Sequence, residues 1–197
     1  MFSKLRKSIS GIFRYSKAEE YSRRYAVMNA FDGVITILGI IFGSVLLGEA
    51  AVKQILAAGI GASIAMGISG ASGTYMTEKA EQERKIKEIE EAMLVKLDGT
   101  VIVEAREKAA VISAIVDSLS AMLAGLITLI PYFAAEVGLL MPETAFYLST
   151  AISFALLFSL GIFLGRIAKR DIVKSGIKSL VIGLVTLLLI ILLNLIL

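Results

Sequence analysis

The stretch Ala26-Val-Met-Asn-Ala-Phe-Asp-Gly-Val-Ile-Thr-Ile-Leu-Gly-Ile-Ile-Phe-Gly-Ser-Val-Leu-Leu47 decides the fold. Its 22 residues carry one charge, the carboxylate of Asp32. About 20 apolar residues in a helix cross the hydrocarbon of a bilayer, so this run reads as a transmembrane helix. A carboxylate inside such a helix costs about 2.5–3.5 kcal/mol on insertion scales. Groups that expensive are retained mainly on ion or proton paths, which makes Asp32 the first candidate functional residue.

Four further runs follow at similar length: Val52–Met76, Ala109–Phe133, Phe146–Ile167 and Ile177–Leu197. The whole chain agrees with that reading. Of its 197 residues, 57% are hydrophobic and only 19% charged, against about 25% charged in soluble domains. Mean hydropathy is +0.83. The expected fold is an all-α integral membrane protein of five transmembrane helices, with a short cytoplasmic helical hairpin between the second and third. The segments are 1–25, a cytoplasmic N-terminal stretch; 26–76, helices one and two; 77–108, the Glu-rich cytoplasmic part; and 109–197, helices three to five.

Lys and Arg set the orientation. Lys4, Arg6, Lys7, Arg14, Lys17, Arg23 and Arg24 precede the first span. Lys79, Arg84, Lys85, Lys87, Lys96, Arg106 and Lys108 lie between spans two and three. Arg166, Lys169, Arg170, Lys174 and Lys178 lie around the turn between spans four and five. Only Lys53 falls on the opposite side. By the positive-inside rule the N-terminus is cytoplasmic and the C-terminus faces out, in a multi-pass protein of the cell membrane. Phe2, Leu5, Ile9, Ile12 and Phe13 recur at helical spacing in the basic N-terminal stretch, which reads either as an interfacial amphipathic helix or as a basic topogenic tail. The partner of these basic residues is anionic membrane lipid, not nucleic acid.

The chain has neither Cys nor His. Thiolate catalysis, Ser-His-Asp chemistry and Cys/His zinc sites are excluded, and no other nucleophile–base pair is visible, so no enzymatic activity is expected. A metal would have to be held by carboxylates, carbonyls, amides, hydroxyls or Met thioether, a set suited to Mg, Ca, Mn and, less selectively, Fe(II).

Asp117 is the second carboxylate inside a span. Asp32 lies eight residues past Arg24 and Asp117 nine past Lys108, each about 12–14 Å from the cytoplasmic boundary. Together they could bind a divalent cation or share a proton; alternatively, each is satisfied by Ser, Thr or Asn on a neighbouring helix. Asn29 and Met66 are candidate companions for Asp32. Gly61, Ala65, Ser69 and Gly73 form a small-residue row in span two that permits close helix approach. In the cytoplasmic segment, Glu78 and Glu81, Glu88 and Glu91, and Glu104 and Glu107 form three Glu-x-x-Glu pairs. Residues i and i+3 share a helix face, so each pair could present two carboxylates to one ion, or serve as half of a solvated ion-pair network with neighbouring lysines. Leu97-Asp98-Gly99-Thr100 is a turn signal between two helices.

With these pieces in order, the chain resembles the vacuolar iron transporter family. Arg24-x7-Asp32-Gly33 is similar to that family's Asp-Gly signature in its first helix. Ser69-Gly-Ala-Ser-Gly-Thr-Tyr75 followed by a Glu-rich helix resembles its Ser-Met-x-x-Gly-Glu-Tyr segment. Leu126-Ile-Thr-Leu-Ile-Pro-Tyr132 is similar to its Pro-Leu-x-Pro-Tyr stretch, and Leu160-Gly-Ile-Phe-Leu-Gly-Arg-Ile-Ala-Lys-Arg170 to its last turn. The resemblance implies a homodimer with the ion path along its axis, lined by the first helices. It implies export of Fe2+, or Mn2+, from the cytoplasm in exchange for protons, with no permanently bound cofactor. Asp32 is then the membrane ligand, and Glu78, Glu81, Glu88, Glu91, Glu104 and Glu107 collect metal in the cytoplasm. The chain departs from the pattern at Gly70, where the family has Met, at Thr74, where it has Glu, and at Tyr25 and Thr128. Those departures leave open a second expectation, a membrane-anchored metal-binding or scaffold protein of the same fold.

Overall fold

The structure is a computed structural model and describes residues 18–48 and 51–196. The expected N-terminal amphipathic helix lies almost wholly outside the described residues. Among those described there are five α-helices and no strands: α1 (Ala18–Leu46), α2 (Val52–Met93), α3 (Val101–Glu136), α4 (Pro142–Ile167) and α5 (Ile172–Ile196). All five are long and apolar enough to cross a membrane, as the sequence led us to expect. Helices α1 to α5 all carry exposed large apolar side chains, from Leu46 and Ile68 to Leu123, Phe163 and Leu189. So much exposed apolar surface suits lipid and not water.

Helix α2 has 42 residues and α3 has 36. At 1.5 Å per residue α2 is about 63 Å long, roughly twice the hydrocarbon thickness, so its charged C-terminal half extends beyond the membrane. The helix ends at Met93, earlier than the turn signal, because Leu94 adopts a left-handed backbone with φ of 53°. The Leu97–Thr100 turn follows as read from the sequence: the Thr100 N–H donates to the Leu97 carbonyl at 3.1 Å, and Gly99 sits at φ 72°, a conformation that glycine adopts without a Cβ penalty.

The chain divides into two compact units. One comprises the start of α1 together with residues 68–119, that is, the second half of α2 and the first half of α3. Ala105 and Ala109 form its small apolar cluster, with Ile112 against them. The other comprises residues 27–67 and 120–197. Its core joins α1, α2, α3 and α4 through Ile37, Ile41, Ile55, Leu56, Leu129, Tyr132 and Ala145. A second cluster there brings Val34, Ala124 and Leu157 together. Within it α4 and α5 pack so closely that a Cβ added at Gly161 would fall 2.3 Å from the Ser179 hydroxyl and 2.7 Å from the Ser175 carbonyl. Small residues at such a crossing let backbones approach, the usual basis of helix association in lipid.

Candidate metal path and buried polar lining

Helix α1 places Asp32 through its neighbour. A Cβ on Gly33 would lie 2.3 Å from the Ala121 carbonyl oxygen, so the backbones of α1 and α3 touch there and only glycine fits. With Gly33 turned to α3, the next position back, about 100° around the helix, is directed away from that contact. Asp32 is accordingly exposed. Arg24, Met28 and Thr36, at four-residue steps from it, are exposed too, so the four share one uncovered stripe of α1. Asn29 is half-buried on α1, and Met66 is half-buried on α2.

Asp117 is treated differently. It belongs to the other unit and is only 2% exposed. The Thr74 hydroxyl of α2 donates to its Oδ2. A Cβ on Gly70 would stand 3.1 Å from that same oxygen, so Gly70 leaves the space that the carboxylate occupies. The two helix-two positions at which this chain departs from the Ser-Met-x-x-Gly-Glu-Tyr pattern therefore both face Asp117. Of the two sequence readings of Asp117, satisfaction by a hydroxyl on a neighbouring helix describes its contact with Thr74.

Below Thr74 on the same face of α2 come Glu78 and Gln82, all buried and four residues apart. The Tyr25 hydroxyl on α1 donates to Glu78 Oε1 at 2.8 Å, and the Gln82 amide donates to Oε2 at 3.3 Å. The Arg106 guanidinium on α3 donates to the Gln82 carbonyl oxygen at 2.9 Å. The hydroxyls of Ser22 and Ser113 lie 3.5 Å apart. From the sequence, Gln82 drew no notice because it is uncharged, and Tyr25 and Thr74 stood out only as departures from the family pattern. The 74, 78, 82 spacing of polar residues on one helix face was the signal that could have found them.

The glutamates of the three Glu-x-x-Glu pairs are spread over several environments. Glu78 is buried, whereas Glu81 lies at the surface between Arg84 (2.8 Å) and Lys85 (3.1 Å). Those two cations hold the Glu81 carboxyl down at about 2. Glu78 and Glu81 thus do not face one ion together. Glu88 pairs with Arg84 at 2.8 Å, and Glu104 with Lys108. Glu91 lines a pocket of about 380 Å3 with Lys87, Glu90 and Lys96, and Glu107 is exposed on α3. Among the described residues no three acidic groups converge as a metal cluster within one chain. Glu90, which the sequence did not single out, accepts the Leu97 N–H at 2.8 Å and Lys96 at 3.4 Å. That backbone bond, helped by Lys96, lowers its pKa and ties the end of α2 to the turn.

A model of the VIT family matches residues 87–194. An uncharacterized protein of the archaeon Methanocaldococcus jannaschii is 30% identical over 153 residues, covering 76% of each chain.

Proposed function

The chain belongs to the VIT family and is by that membership a membrane metal-ion transporter; from that premise we propose that it exports Fe2+, and Mn2+ as a second substrate, from the cytoplasm in exchange for protons. The observation that carries this reading is the exposed Asp32 on an apolar span. A carboxylate facing lipid is costly, and a second copy of the chain covering the Met28–Asp32–Thr36 stripe removes that cost. In the resulting homodimer two Asp32 carboxylates face each other across the axis, with Met28 thioether and Thr36 hydroxyl beside them. Oxygen ligands with a soft sulfur nearby suit Mn2+ and Fe2+. Asn29, Met66 and Asp117 are further oxygen or sulfur donors inside the spans.

Glu81, Glu88, Glu91, Glu104 and Glu107 supply the cytoplasmic end. The lysine and arginine partners of Glu81, Glu88 and Glu104 form surface pairs, which are weak and exchangeable, so a divalent ion competes with them readily. Protons return through carboxylates, since the chain has no imidazole.

Purified protein in liposomes tests the assignment. Wild type is expected to move Fe2+ and Mn2+, and Asp32→Ala to abolish that flux. Flux unaltered by Asp32→Ala would sink the role given to this residue. Tight metal binding without flux in the wild type would instead favour the scaffold reading.

A further inference from the structure

An open, mostly apolar groove of about 650 Å3 runs between the second half of α2 and the first half of α3, inside one unit. Its floor is made of small residues, Ala71 on α2 and the buried Ala114 on α3. Its α3 wall is Val111, Ile115 and Leu119, one residue per turn and all exposed. Tyr75 is the last lining residue on α2 before the helix turns charged at Glu78 and Lys79. The groove therefore starts at the membrane–water boundary, where tyrosine is enriched. From Val111 to Leu119 is eight residues, or about 12 Å of helix. The hydrocarbon of one leaflet is half of a core about 30 Å thick. A helix of a second copy needs a face that continues through both leaflets. A groove one leaflet deep fits an acyl chain.

The mouth of the groove carries a cation. Lys79, one turn beyond Tyr75, is exposed and holds its ammonium 5.9 Å from the centre of the Tyr75 ring. Among the described residues no carboxylate pairs with it, whereas Arg84, Lys85 and Lys108 on the same two helices are all paired with glutamates. The ring attracts the ammonium and keeps it beside the groove. A lysine at the end of a span, with an aromatic beside it, suits the phosphate of a lipid headgroup. Glu107, exposed on α3 one turn before Val111, disfavours a second anionic group there. The mouth thus accommodates a single phosphate.

We propose that this groove is a phospholipid site, one per chain, with an acyl chain lying along Val111, Ile115 and Leu119 and the phosphate on Lys79. The same pair of helices carries the buried bond between Thr74 and Asp117. Ala71 follows Gly70, and Ser118, which also lines the groove, follows Asp117. A lipid tail seated there fills the space beside that bond and braces α2 against α3 from the membrane side.

Native mass spectrometry of the full chain in mild detergent tests this, with phosphatidylglycerol or diacylglycerol of the same chain length supplied as probe. Wild type is expected to retain one phosphatidylglycerol per chain, held about fivefold more tightly than diacylglycerol, the worth of one lysine beside an anionic lipid. Lys79→Gln should erase that preference. Ile115→Trp, at an exposed position, should fill the groove and lower occupancy by both lipids. Val185→Trp, exposed on α5, should bind as wild type does. Equal binding of the two lipids by wild type, or full occupancy in Ile115→Trp, would overturn the proposal. The chain has no cysteine, so Ile115→Cys provides a single reactive thiol. In liposomes it is expected to form no crosslink between copies; an efficient crosslink would assign the groove to a protein interface instead.

Discussion

The two units of this chain solve burial in opposite ways. In the unit built from residues 27–67 and 120–197, the interior is aliphatic and aromatic, with Ile37, Ile41, Ile55, Leu129 and Tyr132 closely packed. Its serines and threonines, such as Ser63, Thr128 and Ser153, bond the carbonyl four residues back on their own helix. In the unit around the second half of α2, the interior is lined by Ser22, Thr74, Glu78, Gln82, Ser113 and Asp117, and the bonds run between helices. A hydroxyl bonded to its own helix satisfies itself and specifies nothing. A carboxylate held by another helix fixes register and can change charge, at the risk of a large penalty if its partner is lost. The first unit is packed with apolar groups inside and leaves its one membrane carboxylate, Asp32, on an exposed stripe, whereas the second keeps its carboxylates Glu78 and Asp117 in the interior.

Four measurements can break or sharpen that contrast. The largest effect is expected for Leu129→Ala, which opens a cavity in the aliphatic unit. It should cost about 2–5 kcal/mol, read as a lower unfolding midpoint in detergent, with metal selectivity unchanged. Gly33→Ala should follow at about 1–3 kcal/mol, since its Cβ would sit 2.3 Å from the Ala121 carbonyl oxygen and the backbones must separate. Because Asp32 is the next residue, this variant should also slow metal flux, which Leu129→Ala should not. Thr74→Val should cost about 1–3 kcal/mol by leaving the buried Asp117 oxygen without its hydroxyl donor. As its control, Ser159→Ala removes an exposed hydroxyl bonded to its own helix and should stay within about 0.5 kcal/mol of wild type. Equal effects at Thr74 and Ser159 would erase the distinction drawn between the units.

The smallest effect concerns acid. Glu81 has its carboxyl lowered from 4.5 to about 2 by Arg84 and Lys85. A depressed carboxyl stabilises the fold above its unfolded value and loses that contribution as pH falls through its folded one. The ion pairs of α2 should therefore persist at pH 4.5 and weaken progressively toward about 2. Arg84→Ala should raise the Glu81 midpoint, as followed by carboxyl NMR shifts. A midpoint unmoved by the substitution would remove the pair from the account.

Much of this was readable beforehand. Five apolar runs specify five helices because unsatisfied backbone groups cannot be left in hydrocarbon. The position of Asp32 as a lone charge was also readable, since one charge among apolar residues is visible without coordinates. The fates of the glutamates were not. Glu78 and Glu81 are identical residues three positions apart on one helix, yet one is buried between Tyr25 and Gln82 and the other lies between two surface cations. Spacing says that such residues share a face of their own helix. It does not say which neighbours that face meets.

The sequence by itself determined the solvent, the number of helices, the absence of thiol and imidazole chemistry, and the isolation of Asp32. Composition and run length suffice for these because each depends on a residue and its immediate neighbours. Only the tertiary structure decided that Gly33 turns Asp32 to an uncovered face and that Gly70 and Thr74 make room for and hold Asp117. Only it took Glu78 inside while leaving its five companions on the surface. Those outcomes depend on contacts between residues far apart in the chain, such as Thr74 with Asp117 and Tyr25 with Glu78, and no local pattern encodes them.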